Sequence, residues 1–274
     1  TTKRGLEEIV NAAKQFGVDF DTRSKLQIIA DLRQRDISAV PAIVPQGLLK
    51  QDGNGTLKSE IVINGTNILP LGGISNIATV LCNENGEYTI YESDEHGFHN
   101  PKGIWTSERF DIAAVGDSYT QGACVPSDKN FLALVRKHYP ATLNLGMSGD
   151  GPLMMLATIK EYVQFVKPRA VLWFFYEGND LQDLKKERNF PLLMRYLEGN
   201  FSQGLLHLQS DIDAALAAYI EKVRRRLSVD RQLQDLPEGI DERTINVKAT
   251  KEIAGAVIKL SNLRQRLNLI YGAT

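Results

Sequence analysis

Cysteine is scarce in this chain: Cys82 and Cys124 are the only two. That is too few for a disulfide-dependent scaffold, and their spacing is not that of a metal site. Counts alone favour two reduced, partly buried thiols, with pairing expected only if the protein is exported. Long apolar runs are also missing. The longest, Ala170 to Tyr176, falls far short of the roughly 20 residues that cross a bilayer as a helix, so no membrane span is expected in this chain. Nor is there an excess of one charge. With 32 basic and 33 acidic side chains and a net charge of −1, no global basic field exists to hold nucleic acid, and a neutral or mildly charged small molecule is the simpler partner. Histidine is limited to His96, His99, His138 and His207. Without a ligand cluster or the repeated glycines of a dinucleotide turn, no metal and no cofactor is expected. The compartment and the oligomeric state are left open.

What the sequence does contain is enough apolar residue, 43% of 274, to bury a sizeable core in one main domain with an added segment. Gly5 to Phe16 and Arg23 to Arg35 read as amphipathic helices, the second capped by Asp21 or Thr22. Ala39 to Pro45 must run extended, because each proline lacks an amide hydrogen and restricts the residue before it. A short strand is expected near Ile61 to Ile63. Ile77 to Cys82 and Glu87 to Tyr91 form a hairpin around the Asn-Gly signal of Asn83 to Gly86. Glu92 to Pro101 is polar and aromatic, and it reads as a solvated loop in preference to a direct substrate contact.

From Asp111 onward the pattern alternates strands with helices, as in a parallel sheet covered on both faces. Strands are expected at Ile112 to Val115, Thr142 to Leu145 and Ala170 to Tyr176, the last central because it is apolar on both faces. Helices are expected over about Ser127 to His138 and Pro152 to Val166. A long amphipathic helix follows from Leu205 to Leu227, ending at the solvated Arg224-Arg-Arg226. Ser228 to Ile245 reads as a loop, and Ile253 to Leu267 as a last helix.

Three loops follow the three strands, and in a parallel sheet all of them open at one edge. The first carries Gly116-Asp117-Ser118, the second Gly146-Met-Ser-Gly149, and the third Gly178-Asn179-Asp180. The backbone amides of Ser118 and Gly149 and the side-chain amide of Asn179 are the donors that would stabilise a tetrahedral oxyanion. Ser118 is the candidate nucleophile, with Asp117 and Asp180 in support, and His96, Phe98 and His99 as weaker candidates for substrate binding.

In these three blocks the chain resembles the SGNH hydrolase superfamily, the Gly-Asp-Ser-Leu lipases and esterases, with Tyr119 where leucine is common. The resemblance covers about Asp111 to Asp183. It implies a flavodoxin-like three-layer α/β/α fold over residues 109–274, with residues 1–108 as a helical and β-hairpin extension that shapes the substrate pocket. It also implies hydrolysis or transfer of acyl or acetyl esters through an acyl-serine. A carbohydrate ester substrate, or O-acyl transfer to polysaccharide, falls within that range. The family's last block, Asp-x-x-His, is not found: the residues three before the four histidines are Ser93, His96, Val135 and Gly204. Truncation at the carboxyl end is the preferred expectation. The alternatives are a catalytically degenerate binding or assembly module for polysaccharide, or a base supplied by His96 or His99.

Overall fold

The alternation of short β runs and helices resolves into an α/β architecture. A computed structural model describes residues 3–234, with side chains over residues 8–227. The chain divides into two units, residues 23–225 and residues 1–22 with 226–274. In the smaller unit α1 spans Lys3–Gln15.

The larger unit opens with α2, Lys25–Gln34. Its cap is Ser24, not Asp21 or Thr22: the hydroxyl accepts from the Gln27 amide while the Gln27 side chain accepts from the Ser24 amide. This reciprocal box satisfies two otherwise orphaned donors and so fixes the start of the helix. β1 (Ala39–Pro41) takes the extended course its prolines impose. β2 (Leu49–Gln51) and β3 (Leu57–Ser59) then pair antiparallel. Asp52 fastens the turn between them, its Oδ1 accepting from the Asn54 and Thr56 amides at 3.0 Å. β4 (Val62–Ile63) and β5 (Thr66–Asn67) form another short hairpin. β6 (Ala78–Val80) and β7 (Ile90–Glu92) make the hairpin expected around Asn83 to Gly86, and β1 joins β6 in parallel.

β8 (Ile112–Val115), β9 (Thr142–Asn144) and β10 (Ala170–Trp173) form a parallel sheet in the order β10-β8-β9. Between β8 and β9 lie α3 (Ser118–Gln121) and α4 (Phe131–Arg136). α4 starts later than Ser127 because Asn130 caps it, Oδ1 accepting from the Ala133 amide at 2.8 Å. The helix between β9 and β10 begins as α5 (Pro152–Thr158), widens into a π turn at Ile159–Val163 and ends as α6 (Gln164–Val166). In that turn Glu161 is fully buried and accepts from the Tyr196 and Ser202 hydroxyls and from the Gln203 and Leu205 amides.

After β10 come α7 (Asp180–Glu187), α8 (Pro191–Met194) and α9 (Gln209–Gln234). α9 continues past Arg224-Arg-Arg226, so the expected loop from Ser228 is helical as far as Gln234. Residues 228–234 hold no proline or glycine, so nothing there stops a helix. The rest of that expected loop, and the helix expected over Ile253 to Leu267, lie outside the described residues. No helix among the described residues is long and apolar enough to cross a membrane.

One core joins the segments before and after Asp111: Leu48, Ile61, Leu69, Leu71 and Phe98 pack with Ala113, Val115, Leu143, Leu145 and Met154. The stretch read as a solvated loop, Glu92 to Pro101, is the main correction. Asp94, Phe98, His99 and Asn100 are all buried, because their polar atoms find partners inside. Asp94 accepts from the His96 and Phe98 amides, the Trp105 indole and Asn100. Polar composition was mistaken for exposure, when what it marks here is a satisfied buried network.

The sheet's two edges differ. At β9, the Asn100 carboxamide accepts from the Asn144 amide and donates to the Asn144 carbonyl, both at 2.8 Å, while Arg136 Nε donates to the Thr142 carbonyl at 2.9 Å. Arg136 also donates to Asn100 Oδ1. At β10, read from sequence as central, the strand is an edge among the described residues, and Val171, Leu172, Trp173, Phe174 and Phe175 are 36–50% exposed. Apolar residues on both faces do not by themselves distinguish a central strand from an edge.

The expectation of two free thiols also fails. Cys82 and Cys124 form a disulfide with Cα atoms 5.2 Å apart. The end of the β6–β7 hairpin lies beside the segment after α3, where Asn85 Nδ2 donates to the Cys124 carbonyl at 2.8 Å.

Candidate active site

Ser118 stands at the first position of α3, directly after the central strand β8. Asp117 caps that helix: its side chain accepts from the Tyr119 amide at 2.9 Å, and burial raises its pKa. The cap leaves the Ser118 amide, as the first in the helix, without an intrahelical acceptor. Among the described residues neither the Ser118 nor the Gly149 amide meets a backbone acceptor.

Two contacts align the loop after β9 with α3. Gln121 Oε1 accepts from the Ser148 amide at 3.0 Å and from its hydroxyl at 2.5 Å, and the Met147 amide donates to the Gly116 carbonyl at 3.1 Å. Gly149 follows with φ +85°, a conformation that a side chain would strain. A β-carbon there would meet Gln46 Oε1 at 3.2 Å. Gln46, which the sequence did not single out, therefore brings a side chain from the segment before Asp111 to the candidate site. It carries no sequence signal, since a lone glutamine has no motif.

Asn179 precedes α7 on the loop after β10. Its Nδ2 donates to Asp183 Oδ2 at 2.8 Å, and Asp183 also pairs with Lys186 Nζ at 2.5 Å. One amide hydrogen thus holds the group in place and the other is left for an acceptor. Asn179 Oδ1 is buried without a partner. Asp180 Oδ2 accepts from the Tyr176 amide at 2.7 Å, while Oδ1 is buried and unpaired, and burial pushes its pKa up to about 6.

A layer of further carboxylates lies beneath this edge. Glu187 accepts from the amides of Gly151, Leu153 and Met154 at the start of α5, and burial still lifts its pKa to about 7. Asp150 is the extreme case: both its oxygens are buried without a partner. Burial first, and then Glu187 and Asp117, hold its pKa well above the ordinary value. No group of three or more histidine, cysteine, aspartate or glutamate side chains able to hold a metal is found among the described residues.

None of the sequence candidates from the segment before Asp111 makes a hydrogen bond to Ser118. Phe98 is fully buried, edge-on to Tyr162 at 5.1 Å. His96 lies against Trp105 with Nδ1 buried and unpartnered, and burial lowers its pKa. His99 stacks on Tyr91 at 4.0 Å. Its Nδ1 is 2.9 Å from the Gln121 carbonyl and its Nε2 is 2.8 Å from Ser127 Oγ. A carbonyl can only accept, so Nδ1 carries the hydrogen and Nε2 accepts from Ser127. Burial lowers the His99 pKa to about 4, so the ring is neutral at pH 7. Both nitrogens are therefore engaged, and neither reaches Ser118.

Comparison of the chain with family models, curated proteins and solved structures gives no match.

Proposed function

We propose that residues 109–225 carry the acyl-serine site of an SGNH-type ester hydrolase, or of an O-acyltransferase built on the same site. The observation that carries this reading is that Ser118, Gly149 and Asn179 lie on the loops after three adjacent parallel strands, with two backbone amides and one side-chain hydrogen uncommitted. Donors held in place by Asp117, Gln121 and Asp183 need no rearrangement when negative charge develops on a carbonyl oxygen, and that is where such donors act most strongly. In the reaction Ser118 Oγ adds to the ester carbonyl, the bond to the leaving oxygen breaks, and the serine proton ends on the departing alcohol. Water or a sugar hydroxyl then takes the acyl group from the serine.

Labelling with a fluorophosphonate, followed by peptide mapping, tests the reading. Modification of Ser118 that is lost in Ser118→Ala supports it. A Ser118 that stays unmodified in folded protein both without and with imidazole in the buffer removes it in favour of the second reading, a polysaccharide-binding module that keeps the pocket without the chemistry. That second reading has its own support, since none of the four imidazoles lies on Ser118 in this arrangement. Imidazole added to the buffer separates the two: an acyl-serine site lacking only its base gains ester-cleavage rate in a Ser118-dependent manner, and a binding module does not.

A further inference from the structure

The sheet order puts Ser118 between two flanks of different character. On the β9 flank the Gln46 side chain covers Gly149, with Oε1 3.2 Å and Cβ 3.5 Å from where a β-carbon would stand. On the β10 flank stand two tyrosine rings, one exposed and one partly buried. Tyr119, the residue after the serine, is 50% exposed. Tyr176, at the end of the apolar run through β10, lies 5.1 Å from it, centre to centre, with the planes at 56°. Tyr176 folds back over Gly178, where a β-carbon would come within 2.5 Å of the ring. Glycine is therefore what lets the ring occupy that place, and the loop carrying Asn179 is shaped around it.

This pair joins the serine loop to the asparagine loop and presents aromatic surface to solvent with a polar handle on each ring. A long acyl chain gains most where it is removed from water on all sides, which a half-exposed pair does not provide. A pyranose ring suits the surface better, because it offers a face of C–H groups to the rings and hydroxyls at its rim to the phenols. We propose that Tyr119 and Tyr176 form the leaving-group subsite beside Ser118 and take a pyranose ring by stacking. Gln46 holds the opposite flank to an acyl group of about acetyl size. The inference rests on the reading of Ser118 as an acyl-accepting serine.

The test is calorimetric titration of cellohexaose, xylohexaose and chitohexaose into the full chain carrying Ser118→Ala, so that binding is measured without turnover. At least one of these sugars should bind. Tyr119→Ala and Tyr176→Ala should each weaken it by about tenfold or more, and Tyr119→Phe and Tyr176→Phe should leave it within about threefold. No binding by any of the three sugars, or binding indifferent to both alanine variants, overturns the proposal. Should Tyr176→Ala fail to fold, the half-exposed Tyr119 decides alone through its alanine and phenylalanine variants. Fluorophosphonate labelling of the parent separates the two levels. Sugar binding without a reactive Ser118 keeps the subsite and removes the acyl-serine reading, whereas a reactive Ser118 without sugar binding does the reverse.

Discussion

At the scale of single residues, Asp150 is a carboxyl with both oxygens buried and unpartnered. Its folded-state pKa is raised, so the folded protein holds a proton that the unfolded chain gives up above its ordinary value of 3.8. Stability from this group is therefore intact below that value and is lost as pH rises through the folded one. Asp150→Asn removes the penalty while keeping the shape. The variant should match the parent near pH 4 and be more stable at pH 7.5 by roughly 1–3 kcal/mol, read from urea midpoints at both pH values. A gap that is the same at both would mean the carboxyl is paired in solution. Asp117, Asp180 and Glu187 shift in the same direction, so the carboxyl edge as a whole favours the protonated state.

For the elements, the two sides of the β8–β9–β10 sheet make opposite predictions. Asn100→Ala deletes both bonds to Asn144 and leaves Asp94 and Arg136 each short of a partner inside the core. A loss of roughly 2–4 kcal/mol is expected in urea unfolding, more than a single neutral hydrogen bond contributes, because desolvated groups are left unmatched. On the other side, Val171→Lys or Phe175→Lys on the exposed β10 run should change stability by no more than about 0.5 kcal/mol, because these side chains are already in water. The same changes should reduce self-association in light scattering, since charge on an open strand opposes pairing with another edge. Equal scattering from parent and lysine variants would show that this edge is not the adhesive surface.

Much of this level was legible in the sequence. Ile112 to Val115 is a strand because four apolar residues end at a glycine, and the Asn-Gly signal marked the β6–β7 hairpin. Other parts were not legible, for stated physical reasons. β2 and β3 are too short to show a period of two. Ser24 capped α2 ahead of Asp21 and Thr22 because the partner at Gln27 decides, and single-residue preferences do not. Asp94 to Asn100 looked solvated because a sequence lists polar atoms without saying which of them meet. The site was legible in its motifs, Ser118, Gly149 and Asn179, and silent about Gln46, whose relevance comes only from lying over Gly149.

For the whole molecule, the Cys82–Cys124 disulfide is the covalent constraint, closing a separation of 42 residues. It ties the hairpin before Asp111 to the segment just after α3, on which Ser118 sits. In the chain-entropy description a closed loop of this size stabilises by about 4 kcal/mol. Reduction, or Cys82→Ala with Cys124→Ala, should lower the unfolding free energy by roughly 2–4 kcal/mol in denaturant titrations with and without dithiothreitol. A midpoint unmoved by reductant would show that the thiols are not joined in solution. Because such bonds form in oxidising compartments, folding yield should be higher in a periplasmic than in a cytosolic expression host.

The Asn100 contact also gives the sheet a direction of growth. A carboxamide that occupies both the N–H and the C=O of Asn144 terminates the ladder at β9 as a chain stopper ends a polymer, while among the described residues the far side at β10 is left unpaired. Any strand added to this sheet, by insertion, by exchange between copies or by a bound peptide, enters on the side of Trp173. The register it adopts there is set by a row of backbone groups that the β9 edge no longer has to offer.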